Sequence, residues 1–323
     1  MKWLVTGAGG FVASRLIELL LEKGEDIVGS YRWNEDLNRA KPYKDKIKMV
    51  PADLLDFVSL FRMIADNKPD VISHLAAQSY VNDGYSNPLV TIETNGLGTV
   101  NLLEAIRLYK DYVDSTYDPI IHVCSSSEYY GKVDESETPI TEMNEVRPGN
   151  QYAVGKVCAD AAAAFYSAYY KMKIIRTRFF THTGYGRTML SAECNFARQI
   201  ARIEKGLQEP VIKHGNLHSV RTWANVKDAV TAYYLLTQSG VPGEVYNIGG
   251  KIIRTIGETL DCLISLSTNK NIKKELDPEL VRKLDVNLQI VDISKFENTC
   301  GWTPQISFEQ TMQEVLDFWR ENT

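Results

Sequence analysis

Two clusters in the sequence carry side chains that can move protons. Tyr152 and Lys156, in Tyr-Ala-Val-Gly-Lys, stand four residues apart, a spacing that places both on one helix face. A tyrosine of ordinary pKa, about 10, is a poor base at neutral pH, and a neighbouring ammonium shifts it toward the phenolate. The spacing alone carries little, because any of the 17 tyrosines can fall four residues from a lysine by chance. The second cluster adds weight. Cys124-Ser125-Ser126-Ser127-Glu128-Tyr129-Tyr130-Gly131 brings hydroxyls and one carboxylate directly after an apolar run. The carboxyl end of a parallel strand is where open α/β sheets bind ligands. The plainer reading of Glu128 is a solvated loop glutamate.

The elements that would position these groups are short apolar runs alternating with segments of helical period. Strands are expected at 2–5, 26–31, 47–51, 71–75, 120–124 and 174–178, and helices at 15–21, 55–66, 88–109, 150–170 and 191–205. That alternation implies an α/β chain with a doubly wound parallel sheet of Rossmann type, covered on both faces. Beyond about residue 180 the pattern weakens, and stretches rich in Gly, Asn and Pro at 184–187, 215–216 and 240–243 separate shorter elements. The expected division is a nucleotide-binding domain at 1–178, joined by later segments at about 216–238 and 288–298. A smaller interleaved substrate lobe makes up most of 179–323.

Gly7-Ala8-Gly9-Gly10-Phe11-Val12-Ala13 lies between the first strand and the first helix. Glycines permit the tight turn and let backbone N–H groups approach a pyrophosphate at a helix N-terminus. The spacing Gly-x-x-Gly-x-x-Ala therefore points to a dinucleotide, although such turns also arise for structural reasons alone. After the second strand the chain reads Tyr31-Arg32-Trp33, with no carboxylate until Glu35. A guanidinium there pairs with a ribose 2′-phosphate, which favours NADP over NAD. The alternative for Arg32 is a solvated surface arginine. Asp53 follows the third strand, where it either accepts from the adenine amine or caps the next helix.

Composition narrows the classes. Thirty-six Lys+Arg against 41 Asp+Glu give a net charge of −5, which argues against general affinity for nucleic acid or an anionic membrane. No apolar run approaches the ~20 residues of a membrane span, and the first residues are too short for a signal peptide. Five scattered cysteines show neither Cys-x-x-Cys nor a zinc spacing, so reduced thiols, a cytoplasmic location and no metal are expected.

Residues 6–13, 125–131 and 152–156 together resemble the extended short-chain dehydrogenase/reductase family in its nucleotide-sugar branch, and the likeness runs over most of the chain. His74-Leu75-Ala76-Ala77-Gln78-Ser79, Asn95-Gly96-Leu97-Gly98-Thr99 and Gly301-Trp302-Thr303-Pro304 belong to the same pattern. Within the branch the chain is similar to GDP-mannose 4,6-dehydratases and GDP-6-deoxy-4-keto-mannose reductases. Gly215-Asn216-Leu217 with Arg221-Thr222-Trp223 resembles the dehydratase segment that brings an arginine to the nucleotide diphosphate. Asp277-Pro278-Glu279-Leu280-Val281-Arg282 resembles a second diphosphate arginine of the reductases.

The resemblance implies an NADP-dependent 4,6-dehydratase of a GDP-linked manno-configured sugar, a hexose or heptose. Such an enzyme oxidises C4, removes water across C5–C6 and returns the hydride to C6. Tyr152 would deprotonate the C4 hydroxyl, Lys156 would hold the cofactor ribose and lower the phenol pKa, and Ser126 would hydrogen-bond the C4 oxygen. Glu128 would remove the C5 proton and protonate the departing hydroxyl. The cofactor would also lie against Gly7, Gly10, Phe11, Val12, Arg32, Asp53, Leu54, Leu75, Ala76, Ala77 and His182. The GDP-sugar would meet Gln78, Ser127, Thr181, Arg187, Asn216, Arg221 and Arg282. A homodimer is expected, with a tetramer as the alternative.

The chain departs from the pattern at two places. These dehydratases usually follow the sixth strand with Asn-His and a Pro-Arg-Arg-Gly run, whereas here Thr181 replaces Asn and Arg187 alone stands for the arginine pair. Residues 32–44 lack the basic, serine-rich cofactor loop of tetrameric members. An NADPH-dependent reductase of the 4-keto sugar and a nucleotide-sugar epimerase are the rival enzymes. A non-catalytic NADP-binding protein would be expected to lose Tyr152, Lys156 or the Ser126 hydroxyl, and all three are present.

Overall fold

Strands that are apolar on both faces need helices on both sides, and the chain supplies them in alternation. The structure is a computed structural model that describes residues 1–281 and 286–323. Its first half runs β1 (Lys2–Thr6), α1 (Phe11–Glu22), β2 (Asp26–Tyr31), β3 (Lys48–Pro51), α2 (Phe57–Asn67), β4 (Val71–His74), α3 (Val81–Ser86), α4 (Pro88–Ile92), α5 (Gly98–Tyr112), β5 (Ile120–Ser126), α6 (Gln151–Tyr170) and β6 (Ile174–Phe179). The second half runs β7 (His182–Thr183), α7 (Ala192–Glu204), β8 (Val211–His214), β9 (Val220–Asn225), α8 (Val226–Ser239), β10 (Val245–Ile248), β11 (Ile252–Thr255), α9 (Ile256–Leu266), β12 (Lys273–Leu276), β13 (Leu288–Gln289), α10 (Ser294–Cys300) and α11 (Phe308–Glu321).

Seven strands form one sheet in the order β10-β6-β5-β4-β1-β2-β3, with every pairing parallel. The order turns back between β1 and β4, which opens a crevice at their carboxyl ends. Leu60, Ile64, Leu102 and Ile106 cover one face of the sheet over Ile72 and Ile121. Leu16, Ile17 and Leu20 cover the other over Trp3 and Val5. Burying each such side chain stabilises the fold by about 1.5–3 kcal/mol. A separate core of Phe196, Ile200, Trp223, Leu260, Phe308 and Met312 holds the smaller lobe together.

Within 216–238, β9 joins a second sheet with β7, β11 and β13, while Ala229, Tyr233 and Leu236 of α8 pack in the core around β6 and β10. The seventh strand of the main sheet is β10, a four-residue element not expected from the sequence. The helix expected at 88–109 forms as α4 and α5 joined by a π turn at Glu93–Leu97. There Asn95 bridges the backbone of Gln78, accepting its N–H at 2.8 Å and donating to its carbonyl at 2.9 Å. No helix among the described residues is long and apolar enough to cross a membrane. All five cysteines are free thiols.

Two imidazoles lie inside the sheet, bonded to neighbouring strands and, for His74, also to helix α5. His74 bridges Thr6 and Thr99 at 2.9 and 3.0 Å, and His122 bridges Ser73 and Thr177 at 3.0 and 2.8 Å. Burial pushes both pKa values down to about 3, with a smaller contribution from the Lys156 charge. The unfolded chain protonates these rings near 6.5, so their contribution to stability is complete above that pH and is lost as pH falls toward 3. Each ring should cost about 1.4 kcal/mol of stability per pH unit in that window. Thermal unfolding between pH 7.5 and 4.5 should show the midpoint falling, and His122→Gln should flatten the slope. A slope unchanged by that substitution would show that His122 does not titrate on unfolding.

Candidate active site

The site begins at the turn after β1. Gly7 has φ +70°, and a Cβ added to it would meet Ala76 Cα at 2.9 Å, while one on Gly10 would meet the Gly7 carbonyl at 3.0 Å. The turn requires glycine at Gly7, and the close carbonyl favours it at Gly10. Helix α1 starts behind Gly10 without a side-chain cap, which leaves its first N–H groups open to an anion. Thr6 Oγ1 accepts the N–H groups of Leu75 and Ala76, both at 3.0 Å, and so ties the ends of β1 and β4 together. This cradle fits a dinucleotide pyrophosphate. Phe11 and Val12 open α1, and Val12 packs into the cores beneath it.

The adenosine end follows. Trp33, Pro51, Ala52, Asp53, Asp56 and Ser59 line a hollow beside β2 and β3. Helix α2 is capped by Asp56, which accepts from Val58 and Ser59. Asp53 instead accepts the Leu55 N–H at 2.9 Å, so its carboxylate lines the hollow and the capping alternative is set aside. Leu54 is buried against Gly98 and Asn101. Arg32 is exposed. Glu35, which the sequence marked only as the next carboxylate, folds back over the glycine turn, where a Cβ on Gly9 would meet its Oε1 at 2.6 Å, and accepts the Arg32 N–H at 3.1 Å.

The proton-moving groups meet at the end of β5. The strand closes at Ser126, whose Oγ accepts the Glu128 N–H at 3.2 Å and starts a single 3₁₀ turn. Gly131 ends that turn at φ +57°, where a Cβ would run into the Arg147 carbonyl. Glu128 lies between two amides: Asn150 Nδ2 at 3.0 Å from Oε2 and Gln289 Nε2 at 3.4 Å from Oε1. Asn150 caps α6, which carries Tyr152 and Lys156 one turn apart. Gly155 lets α6 approach the π turn, since a Cβ there would meet Asn95 Cβ at 2.8 Å. The Ser126 hydroxyl lies beside the Tyr152 phenol and acts to lower its pKa.

The electrostatics differ from expectation in one respect. Burial raises the Tyr152 pKa well above its ordinary value, the Ser126 hydroxyl and the Arg187 charge oppose this, and Cys124 and Glu128 add to it. Lys156 is buried, its pKa is lowered by desolvation, and its Nζ donates to the Cys124 carbonyl at 2.7 Å, 6.0 Å from the phenol ring centre. At the phenol, burial is the dominant influence. Beneath the site, Asp160 pairs with Arg176 at 2.8 Å and with Arg178 at 3.1 Å. Arg178 lies 3.6 Å from the Tyr129 ring centre and donates to the Tyr130 hydroxyl at 2.9 Å.

The remaining expected residues fall into three groups. Ala77, Gln78 and Ser127 border the crevice at the ends of β4 and β5, with Gln78 held by Asn95. His182, whose pKa burial lowers to about 4, donates from Nδ1 to the Phe180 carbonyl at 3.1 Å, and the Thr181 carbonyl accepts from the Ala224 N–H. Arg187 donates to the His182 carbonyl, pairs with the buried Glu193 at 3.5 Å and stands 6.0 Å from the Phe11 ring centre. It therefore sits between the residue that opens α1 and Tyr152. Asn216 accepts the His218 N–H at 2.9 Å, and Arg221 on β9 is the register partner of Gln289. Arg282 lies outside the described residues. Sequence reasoning missed Gln289, Asn150 and Glu35 as parts of the site. Asp160, one turn beyond Lys156, offered a helix-face signal, while Gln289 offered none.

The whole chain matches known proteins. The family model described as GDP-mannose 4,6 dehydratase matches residues 4–315. A GDP-6-deoxy-D-mannose reductase of Pseudomonas aeruginosa is 30% identical over 253 residues, covering 78% of this chain and 80% of that protein. The structure of RMD from the same organism complexed with NADPH superposes with a TM-score of 0.84 at 26% identity, over 100% of this chain and 99% of that one. The dTDP-glucose 4,6-dehydratase of Bacillus anthracis in complex with NAD superposes with a TM-score of 0.84 at 25% identity, over 100% and 97% of the two chains. With this match and the Rossmann-type sheet described above, the chain belongs to the GDP-mannose 4,6-dehydratase family, within the nucleotide-sugar branch of the extended short-chain dehydrogenases/reductases.

Proposed function

We propose that the protein is a 4,6-dehydratase, a lyase acting on a GDP-linked manno-configured sugar with NADP bound. The observation that carries this reading is the Glu128 carboxylate, held by two amides near Ser126 and Tyr152 rather than left in solvent. A bound nicotinamide dinucleotide would accept the hydrogen of C4 and later supply C6. The glycine turn, Asp53, Tyr152 and Lys156 would hold it, with Arg32 at its 2′-phosphate. Tyr152 takes the C4 hydroxyl proton while Ser126 hydrogen-bonds the C4 oxygen. The ketone makes the C5 proton acidic, Glu128 removes it, and the C6 hydroxyl leaves as water. Arg221 and Asn216 in the smaller lobe, together with Arg282, would meet the nucleotide diphosphate, and two chains would pair as a homodimer. The rival reading is an NADPH-dependent reductase of the 4-keto sugar, favoured by the Pseudomonas relative.

The readings differ in redox balance. Purified protein incubated with GDP-mannose or GDP-manno-heptose, without added cofactor, should convert many equivalents with loss of water by mass spectrometry. Conversion that needs one NADPH per product would replace the dehydratase with the reductase. Arg32→Asp should remove a charge-assisted contact of roughly 1.5–3 kcal/mol, weakening NADP more than tenfold and NAD far less. Equal affinity of the unmutated protein for both dinucleotides would remove Arg32 from that role. Glu128→Gln should lower turnover by ~10²–10⁴-fold, yet leave the appearance of reduced nicotinamide absorbance intact. Tyr152→Phe should abolish that absorbance change altogether. Near-normal water loss in Glu128→Gln would show that Glu128 is not the base.

A further inference from the structure

The cap of α6 and the proposed base share one side chain. Asn150 Oδ1 accepts the Ala153 N–H at 2.8 Å as the N-cap of the helix, and this determines which end of the amide is which. Its Nδ2 then faces Glu128 Oε2 at 3.0 Å as a donor only. Turning the amide over would set its NH₂ against the Ala153 N–H and its oxygen against the carboxylate, losing both bonds. The other carboxylate oxygen is held loosely, by Gln289 Nε2 at 3.4 Å. An oxygen that accepts from a fixed donor cannot present a proton in that same direction, whereas a long contact is easily given up.

We infer that Asn150 is a positioning residue that keeps Glu128 Oε2 a permanent acceptor, so that Oε1 is the oxygen that takes and delivers the proton. This rests on the reading of Glu128 as the base. As the C5–H bond breaks, its proton goes to Oε1 and its electron pair becomes the C5–C6 double bond. The C6–O bond breaks with its pair on oxygen, which takes the proton from Oε1 and leaves as water. Glu128 ends ionised, as it began.

The other titratable groups near Glu128 are Tyr152 and Lys156 on α6, Tyr129 in the same turn under Arg178, Arg187 after β7, and Arg221 beside Gln289. All of them stay unchanged in Asn150→Ser and Asn150→Asp. Both replacements cap a helix as well as asparagine does, so the melting temperature should hold in each. Asn150→Ser removes the donor: reduced nicotinamide absorbance should appear at the wild-type rate, while C5 deuterium uptake and water loss slow about ten- to hundredfold. Asn150→Asp sets a second carboxylate against Glu128, and the acid limb of the pH–rate profile should move up by about one unit or more. If the residue only caps α6, both variants keep the wild-type rate of water loss and the wild-type pH profile, and the inference is overturned. Slowing confined to the first, absorbance-reported step also overturns it. Glu128→Gln separates the two levels: normal dehydration there removes the base itself, whereas a stalled Glu128→Gln with normal Asn150 variants removes only the role of Asn150.

Discussion

A carboxylate with 1% of its surface exposed cannot stay charged without partners, and Asp160 has two. Its pairs with Arg176 and Arg178 join α6 to β6, so the helix that carries Tyr152 and Lys156 is pinned to the sheet from beneath. Arg178 passes the constraint on, stacking on Tyr129 and donating to Tyr130, which in turn donates to Asn247 at 2.7 Å on β10. The turn that bears Glu128 thus has its outer residues fastened to the same buried charges as the helix opposite. Such a network adds little net stability over an apolar core of equal volume, because desolvation offsets much of the attraction. What it adds is geometry: phenol, hydroxyl and carboxylate are referred to one common frame.

Much of that frame was legible before any coordinates. Strands β1, β4 and β5 read as apolar runs because they are buried within the sheet, while α2, α6 and α7 read from their period within one or two residues; α1 starts at Phe11, four residues before its expected start. The helix carrying Tyr152 and Lys156 was legible for a second reason, the four-residue spacing of those two side chains. What escaped reading depends on contacts far apart in sequence. Gln289 reaches Glu128 across 161 residues, and β13, which carries it, is two residues long. Strand β10 is too short for any period to declare itself, and becomes a strand because β6 offers an open edge. Asp53 and Asp56 look alike as helix caps, and only the course of the chain into α2 decides between them.

At the cofactor end the sequence weighed Arg32 alone, because it is next to the strand. Folding brings Glu35 back against the glycine turn, so a guanidinium and a carboxylate three residues apart share one place. Arg39 from the same loop donates to the Gly186 carbonyl at 3.1 Å, which links this loop to the one bearing Arg187. The two loops on either side of α1 are therefore mechanically joined, although 147 residues separate them in the chain.

The π turn at Glu93–Leu97 has a consequence for how such a chain can change length. A π turn holds one residue more than an α turn, and each residue of a regular helix advances the side-chain direction by about 100°. Upstream, the segment must aim Asn95 at the Gln78 backbone; downstream, it must aim Leu102, Leu103 and Ile106 into the core. Deleting one residue between them would restore a regular helix while rotating one of these faces out of phase with the other. Side chains on the outer wall of the turn, such as the half-exposed Leu97, are free to vary in kind. Their number is not, and the reading frame of packing in this helix is set by a single extra residue.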